Sequence, residues 1–204
     1  EEYHDVNVKG LENVFKIAKS NEIKVVFALS ASIYRDRDKI PNSEDISKNP
    51  INPYGKTKLD REKYCTSLND GVKCIIIRLS NIYGVPLAEN GWNLVVNDLC
   101  KQAVVNKKIL LRSKGEQKRD FIGISDLKQV ISVLLDKKTE DIKANLFNVG
   151  GDNAVSIKEL AEIIASKYEE IYGQDIKVSY EEGASEEKAV EFAYNIDKLK
   201  ETGY

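Results

Sequence analysis

Residues 24–34, KVVFALSASIY, decide the fold class of this 204-residue chain. Five apolar residues follow Lys24, and a short apolar run is typical of a strand covered on both faces in a parallel sheet. The run ends at Ser30, and open α/β sheets bind their ligands at the carboxyl ends of their strands. The stretch therefore predicts a parallel sheet with a serine hydroxyl at its ligand-binding edge.

A second decisive stretch is YGKTK at residues 54–58. Pro53 stands directly before it, and a proline at this place is a start signal for a helix. Tyr54 and Lys58 are four residues apart and therefore share one face of that helix. A nearby ammonium favours the phenolate form of a tyrosine, and such a pair suits proton transfer to or from a sugar or alcohol hydroxyl. Many helices carry this spacing by chance, so the interpretation depends on Ser30 reaching the same crevice.

Two further segments extend this pattern. Residues 6–19, with Leu11 and Val14 near one face, predict an amphipathic helix that leads into the first strand. Residues 73–78, KCIIIR, form a second continuous apolar run and predict the next strand of the parallel sheet. The sequence therefore predicts an α/β protein in which strands and helices alternate.

The serine and tyrosine segments together resemble one known family. Residues 30–34, SASIY, match the Ser-Ala-Ser/Thr-Val-Tyr segment of the extended short-chain dehydrogenase/reductases, in particular the NAD-dependent nucleotide-sugar epimerases and dehydratases. Tyr54 and Lys58 match that family's Tyr-x-x-x-Lys at a similar distance along the chain. The likeness is to the UDP-glucose 4-epimerase type and covers the chain from Tyr3 onwards. Two motifs at the family's spacing are far more specific than either motif alone.

The resemblance implies an α/β fold with a partial Rossmann-type doubly wound parallel sheet and a small C-terminal α/β lobe. Residues 1–84 would form the second half of the NAD-binding domain and carry the catalytic residues. Residues 85–204 would mainly bind the nucleotide sugar, with some strands and helices returning to the Rossmann domain. NAD as the cofactor and a nucleotide-sugar substrate are also implied by the resemblance, and the exposed edge of the half-sheet favours a homodimer.

The motif matches also imply roles for single residues. Tyr54, as a phenolate, would take the proton from a sugar hydroxyl, and Lys58 would favour the phenolate and bind the cofactor ribose. Ser30 would hydrogen-bond the reacting oxygen, a hydride would pass to NAD+, and the keto sugar would turn over before the hydride returns. Asn7, in the NVKG segment, would be a further cofactor-binding residue. The substrate-binding residues implied by the resemblance are Ser32, Asn81, Asn93, Leu94 and Arg119.

Three of these substrate-binding residues also have a simpler explanation. Asn81 follows the second predicted strand, where an asparagine often bonds its own backbone in a loop. Asn93 is a natural N-cap for the helix that follows it. Arg119 suits a diphosphate because its fork bonds two oxygens at once, whereas most arginines are simply exposed. Its neighbour Asp120 is expected to fix the turn.

Other functions stay open. A dehydratase of this family needs an Asp-Glu pair just after the active-site hydroxyl, and this chain has Ala31 and Ser32 there. A keto-sugar reductase uses the same serine, tyrosine and lysine as an epimerase. The alternative from a different class is a non-catalytic module that binds a nucleotide sugar.

The glycine-rich turn that binds the cofactor pyrophosphate in this family is absent from the sequence. Residues 148–153, NVGGDN, are the one candidate, but their spacing is wrong, and a turn with positive φ accounts for Gly150 and Gly151. We therefore expect the chain to lack about the first half of the nucleotide-binding sheet and to bind NAD weakly by itself.

Composition argues against several other classes of protein. The net charge is -2, and the basic residues are scattered among acidic ones, so we expect no nucleic-acid partner. No apolar run approaches the length of a membrane-spanning helix, which argues against a membrane partner. Three widely spaced cysteines with a single histidine argue against a structural zinc site, and reduced thiols fit the cytoplasm.

Overall fold

The computed structural model describes residues 10–34, 42–45, 50, 53–67, 72–138, 145–185 and 192–204. The helices among these residues are α1 (Gly10–Ser20), α2 (Pro53–Ser67), α3 (Val95–Lys101), α4 (Ile124–Asp136), α5 (Ile157–Tyr172) and α6 (Asp197–Lys200). The strands are β1 (Val25–Ser30), β2 (Cys74–Leu79), β3 (Asn81–Tyr83), β4 (Lys108–Ser113), β5 (Lys118–Gly123), β6 (Leu146–Val149), β7 (Ala154–Ser156) and β8 (Lys177–Ser185).

The first sheet has the strand order β1-β2-β6, and both pairings are parallel. Ser30 is in register with Leu79, and Leu79 is in register with Val149. The carboxyl ends of all three strands therefore meet at one edge. β6 lies far along the chain from β1 and β2, so residues after the predicted boundary at position 84 return to this sheet.

Helices cover both faces of this sheet because alternate side chains of a strand point in opposite directions. Cys74 and Ile76 of β2 pack in one cluster with side chains of α1 and α2. Ile75 and Ile77 pack in another cluster with side chains of α4. The predicted α/β fold with a doubly wound parallel sheet is therefore confirmed.

The helix before β1 differs in one respect from the sequence prediction. Leu11, Phe15 and Ala18 are buried, as the helical periodicity requires for the side chains that face the sheet. Val14, which was expected on the same face, is 50% exposed. The reason is that the buried stripe follows Leu11, Phe15 and Ala18, and Val14 lies beside it. Residues 6–9 of the predicted helix lie outside the described residues.

A second packed unit lies around α3 and α5, whereas Ile122 of β5 and Leu199 of α6 pack in the same cluster as β2 and α4. β3 pairs in parallel with β5, β5 pairs antiparallel with β7, and β4 pairs in parallel with β8. Between α3 and β4 the chain forms a π-helical segment, Gln102–Asn106. The buried apolar side chains of this unit are Val96, Leu99, Ala103, Ile109, Leu111, Leu160, Ala161, Tyr168 and Ile176.

Helix α5 begins with a complete capping box. The Glu159 amide donates to Ser156 Oγ over 3.1 Å, and the Ser156 amide donates to Glu159 Oε2 over 2.7 Å. These two bonds satisfy amides that have no partner inside the helix. None of the helices within the described ranges is both long and apolar enough to cross a bilayer.

Candidate active site

Ser30 is the last residue of β1 and lies at the carboxyl edge of the parallel sheet. A single 3-10 turn, Ala31–Ile33, follows it directly. The Ser32 amide donates to Ser30 Oγ over 3.2 Å, which caps that turn. Helix α2 packs against the same turn. The predicted catalytic serine and the helix with the predicted catalytic tyrosine are therefore neighbours.

Tyr54 and Lys58 lie side by side at the start of α2. Lys58 Nζ is 5.1 Å from the centroid of the Tyr54 ring, as the four-residue spacing predicts. The Tyr54 side chain is 56% exposed, so a ligand can reach it. Thr57 Oγ1 donates to the Tyr54 carbonyl over 2.7 Å, which adds a local bond in the first turn of the helix. The arrangement combines an accessible phenol with a neighbouring ammonium.

A buried polar network lies behind this pair, and the sequence analysis missed it. Arg78 of β2 donates from Nε and Nη2 to the two carboxylate oxygens of Glu62 on α2, each over 2.8 Å. Arg78 Nη1 also donates to the Tyr34 hydroxyl, and Tyr34 donates to Asn148 Oδ1 over 2.6 Å. Burial raises the pKa of Tyr34 to about 12. The available signal was an arginine inside a buried apolar strand, because a buried charge requires a buried partner.

Glu44 joins this network from the loop between the two predicted motifs. Its backbone carbonyl accepts from Arg78 Nη1 over 3.2 Å, and its Oε1 accepts from the backbone amide of Asn148 over 2.7 Å. Asn148 Nδ2 donates in turn to the carbonyls of Asn42 and Asn195. The network therefore connects β2 and β6 with two segments that lie outside the regular strands.

Asn81 and Asp120 hold neighbouring strands together. Asn81 Nδ2 donates to the Asp120 carbonyl over 2.8 Å, which links β3 to β5. The Asp120 carboxylate accepts from the amides of Gly151 over 2.8 Å and Asn153 over 3.2 Å. Burial raises the pKa of the Asp120 carboxyl. Asp120 is structural, as expected, but it lies within β5 and holds the turn after β6, whereas substrate binding by Asn81 stays a prediction.

The glycines at the end of β6 are not explained by a turn with positive φ, as was predicted. A positive φ occurs at Asp152, with a value of 57°, and at neither Gly150 nor Gly151. A Cβ at Gly150 would lie 2.3 Å from Asp120 Oδ1, and one at Gly151 would lie 2.1 Å from the Phe121 carbonyl oxygen. Close packing therefore excludes larger side chains here.

The other predicted substrate residues lie in the second packed unit. Arg119 is half-buried on β5 and donates from Nε and Nη2 to Gln117 Oε1, over 3.1 and 2.6 Å. Asn93 ends a 3-10 segment, and Leu94, which is 51% exposed, is the residue that precedes α3. The predicted N-cap role of Asn93 is therefore wrong, because the 3-10 segment moves the helix start one residue further. The predicted cofactor residue Asn7 lies outside the described residues.

The sheet edge fits one end of a dinucleotide. Ser32 Oγ is buried and has no hydrogen-bond partner among the described residues, so this edge contains an unsatisfied polar group. Lys58 and Tyr54 add an ammonium and a phenol to the same edge. These groups suit a ribose and a neighbouring reactive ring. The packed glycines after β6 do not suit the pyrophosphate.

A large cavity lies elsewhere. It has a volume of about 610 Å³ and opens between α3, the π-helical segment and α5. Its walls include Val96, Phe121, Leu160 and Tyr168, and none of Ser30, Tyr54 and Lys58 lines it. The candidate chemistry is therefore at the open edge of the sheet, apart from this apolar cavity.

Comparison with known proteins identifies the family. A family model described as the NAD dependent epimerase/dehydratase family matches residues 1–150. A curated relative, a putative UDP-glucose 4-epimerase from Methanocaldococcus jannaschii, is 30% identical over 164 residues, which cover 78% of this chain and 52% of that protein. The chain spans about half the length of the curated relatives of this kind.

Two solved structures show the same fold. The UDP-N-acetylglucosamine 4-epimerase from Methanobrevibacter ruminantium M1, in complex with UDP-N-acetylmuramic acid, has a TM-score of 0.80 at 23% identity, over 100% of this chain and 64% of that one. The UDP-glucuronic acid 4-epimerase from Bacillus cereus, in complex with UDP-glucuronic acid and NAD, has a TM-score of 0.74 at 24% identity, over 98% of this chain and 62% of that one. The resemblance predicted from the motifs is confirmed by the family match, and this chain belongs to the NAD-dependent epimerase/dehydratase family.

Proposed function

We propose that the whole protein to which this sequence belongs catalyses the NAD-dependent epimerisation of a nucleotide sugar through a transient keto sugar. One observation carries the proposal: α2, with Tyr54 and Lys58 side by side, packs against the turn that follows Ser30. A phenol, an ammonium and a hydroxyl thereby lie near the carboxyl edge of a parallel sheet, where α/β proteins bind ligands.

In this proposal Tyr54 takes the proton from a sugar hydroxyl and later returns it. The ammonium of Lys58 lies beside it, with Nζ 5.1 Å from the centroid of the Tyr54 ring, so a cation accompanies the proton-transfer group. Ser30 Oγ already accepts from the Ser32 amide, so its O–H can donate to the reacting oxygen. NAD, when bound, accepts and returns the hydride.

Cofactor and substrate binding are divided between the two packed units in this proposal. Lys58 and Tyr54 bind the ribose next to the nicotinamide, and Asn7 is a further cofactor residue. The nucleotide sugar is bound by Ser32 at the sheet edge and by residues of the second unit. The residues assigned to the second unit and its border with the sheet are Asn81, Asn93, Leu94 and Arg119.

The same family contains other reactions, and the residues after Ser30 bear on them. A dehydratase needs acidic groups that protonate and remove a hydroxyl, whereas Ala31 and Ser32 follow Ser30 here. A keto-sugar reductase needs the same three catalytic side chains, so it is the second candidate. It differs from an epimerase in consuming reduced cofactor.

The experiment uses the whole protein and a panel of UDP- and dTDP-linked sugars. Cofactor released on denaturation is identified by chromatography, and the configuration of the sugar is followed by NMR. Tyr54→Phe should lower turnover by about 10²- to 10⁴-fold, the usual contribution of a general acid/base. Epimer formation without net consumption of cofactor supports the proposal, and consumption of NADPH without epimer formation supports the reductase.

A second tyrosine provides a matched control. Tyr180 on β8 is 38% exposed, and Lys114 Nζ lies 5.4 Å from its ring centroid. The pair therefore resembles Tyr54 and Lys58 in chemistry but lies on another element. Tyr180→Phe should leave turnover unchanged. Equal activity of Tyr54→Phe and the unmodified protein would contradict the proposed mechanism.

We also propose that the 204-residue chain by itself associates with another copy. Within the described part of the chain, β1 pairs on one side, with β2, and an open strand edge favours contact with another copy. Sedimentation at high concentration tests this, and a strictly monomeric profile would contradict the proposed homodimer.

A further inference from the structure

Arg78 is the one charged side chain of β2, and it is completely buried. It is in phase with Cys74 and Ile76, which face α1 and α2, so its guanidinium points towards the same helices. A charge in such a place is unfavourable unless it is paired and fully hydrogen-bonded. The partners of Arg78 therefore indicate why the charge is there.

One side of the guanidinium holds the helix of the candidate active site. Nε and Nη2 of Arg78 each donate over 2.8 Å to a different carboxylate oxygen of Glu62, and the two side chains are 0% and 4% exposed. This two-bond geometry fixes orientation as well as distance, because the arginine fork and the carboxylate are both planar. Helix α2 is therefore locked onto β2 at Glu62.

Glu62 lies one helical turn after Lys58 and two turns after Tyr54 on the same helix. A second contact acts beside it, because the Arg61 guanidinium lies 5.1 Å from the centroid of the Phe27 ring on β1. A helix that is held at these two side chains cannot slide or rotate without breaking buried contacts. The lock at Glu62 thereby determines where Tyr54 and Lys58 lie above the sheet edge.

The other side of the same guanidinium holds the segment that carries the serines. Arg78 Nη1 donates to the Tyr34 hydroxyl, and Tyr34 directly follows the turn after Ser30. Tyr34 in turn donates to Asn148 Oδ1 over 2.6 Å, which ties the segment to β6. One buried cation is therefore bonded to both halves of the candidate active site.

We infer that Arg78 and Glu62 are positioning residues, which set the distance between the Tyr54–Lys58 pair on α2 and the serines at the end of β1. The inference rests on the proposed function, because it concerns the same active site. Neither residue touches the reacting atoms, and both act through the elements that they join.

A positioning role predicts a different effect on catalysis from a general contribution to stability. Tyr54 and Lys58 are on one helix, so their mutual contact survives a small movement of α2. Tyr54 and Ser30 are on different elements, so the distance between them changes when α2 moves. Weaker bonding between Arg78 and Glu62 should therefore lower kcat. The pH dependence of kcat and the KM for the nucleotide sugar should stay unchanged.

The test uses Glu62→Gln and Arg78→Lys in the whole protein, assayed for epimerisation at saturating NAD+. Both substitutions keep the size of the side chain roughly constant but remove the two-bond pairing. We expect kcat per folded molecule to fall by about 10- to 100-fold, because a displacement near 1 Å can cost that much in rate. In the 204-residue chain, amide hydrogen exchange of α2 should become faster.

Leu134→Ala is the matched control. Leu134 is fully buried on α4, on the opposite face of the sheet, so its truncation lowers stability from the other side. The variant should lose thermal stability but retain kcat per folded molecule and the exchange rates of α2. A loss of kcat in Leu134→Ala equal to that in Glu62→Gln would overturn the inference, because it would show a general effect of stability.

Two further outcomes separate this inference from the proposed function. Full kcat in folded Glu62→Gln and Arg78→Lys, with Tyr54→Phe inactive, would overturn the positioning role alone. Full kcat in Tyr54→Phe would overturn the proposed function and the inference with it. A shifted pH profile in Glu62→Gln would also overturn the inference, since the lock would then act on ionisation of the tyrosine.

Discussion

The turn after β6 leads to a quantitative prediction about stability. Gly150 is buried, and a Cβ on it would lie 2.3 Å from Asp120 Oδ1 and 2.6 Å from Tyr194 Cδ1. Real Cβ atoms essentially never approach another atom within 3.0 Å, so Gly150→Ala requires a movement of several tenths of an ångström. The φ of Gly150 is not in the left-handed region, so the clash is the whole cause of the expected effect.

Neither neighbour of Gly150 can move freely. Asp120 is fully buried, and its carboxylate accepts from the amides of Gly151 and Asn153. Tyr194 is 4% exposed and donates to the Arg78 carbonyl over 2.7 Å. Overpacking of such a site costs about 1–3 kcal/mol of unfolding free energy. For a chain of this size, the expected decrease in Tm is about 2–12 °C.

Thermal and urea unfolding of the 204-residue chain, followed by circular dichroism, measure this loss. Gly10→Ala is the matched control, because a Cβ on Gly10 has no atom within 4 Å and the residue begins α1. Alanine has the higher helix propensity, so this variant should be as stable as the unmodified chain or slightly more stable. A Gly150→Ala variant within about 0.5 kcal/mol of the unmodified chain would refute the packing argument, because that is the range of neutral surface substitutions.

Two further predictions concern the α5 cap and the cysteines. Ser156→Ala should lower the unfolding free energy by about 1 kcal/mol in urea titrations. The hydrogen bond from the Ser156 backbone amide lowers the pKa of the Glu159 carboxyl. The unmodified chain should therefore be more stable than Glu159→Gln above the usual carboxyl pKa. This difference should disappear as the pH falls through the pKa of Glu159 in the folded chain. Burial raises the pKa of Cys65 to about 12 and of Cys74 to about 11. At pH 8 a thiol reagent should therefore modify half-buried Cys100 first, and rapid modification of Cys65 in the folded chain would contradict this.

Local sequence patterns account for the elements that carry the site. The apolar run before Ser30 and the run in residues 73–78 predicted two strands that the structure pairs in parallel. The four-residue spacing of Tyr54 and Lys58 predicted their contact, because a helix brings such residues onto one face whatever surrounds it. The capping box at Ser156 and Glu159 is equally local, and both of its bonds form.

Two of the wrong predictions concern partners that lie far along the chain, whereas the third, at the N-cap of α3, is local. The partner of Gly150 is Asp120, so the reason for that glycine is a close contact that no local pattern contains. Val14 was expected to be buried, but only the sheet against which α1 packs determines the width of its buried stripe. The N-cap position depended on the 3-10 segment before α3.

The sequence by itself determined the two strands that carry Ser30 and Arg78, the helix of Tyr54 and Lys58, and the chemical groups at the sheet edge, because periodicity and motif spacing act within a few residues. Only the tertiary structure decided that Arg78 bonds both Glu62 and Tyr34, and hence how the tyrosine helix is held against the serine turn. The physical reason is that a buried charge is tolerated only where distant segments supply its hydrogen bonds, and packing alone determines which segments meet.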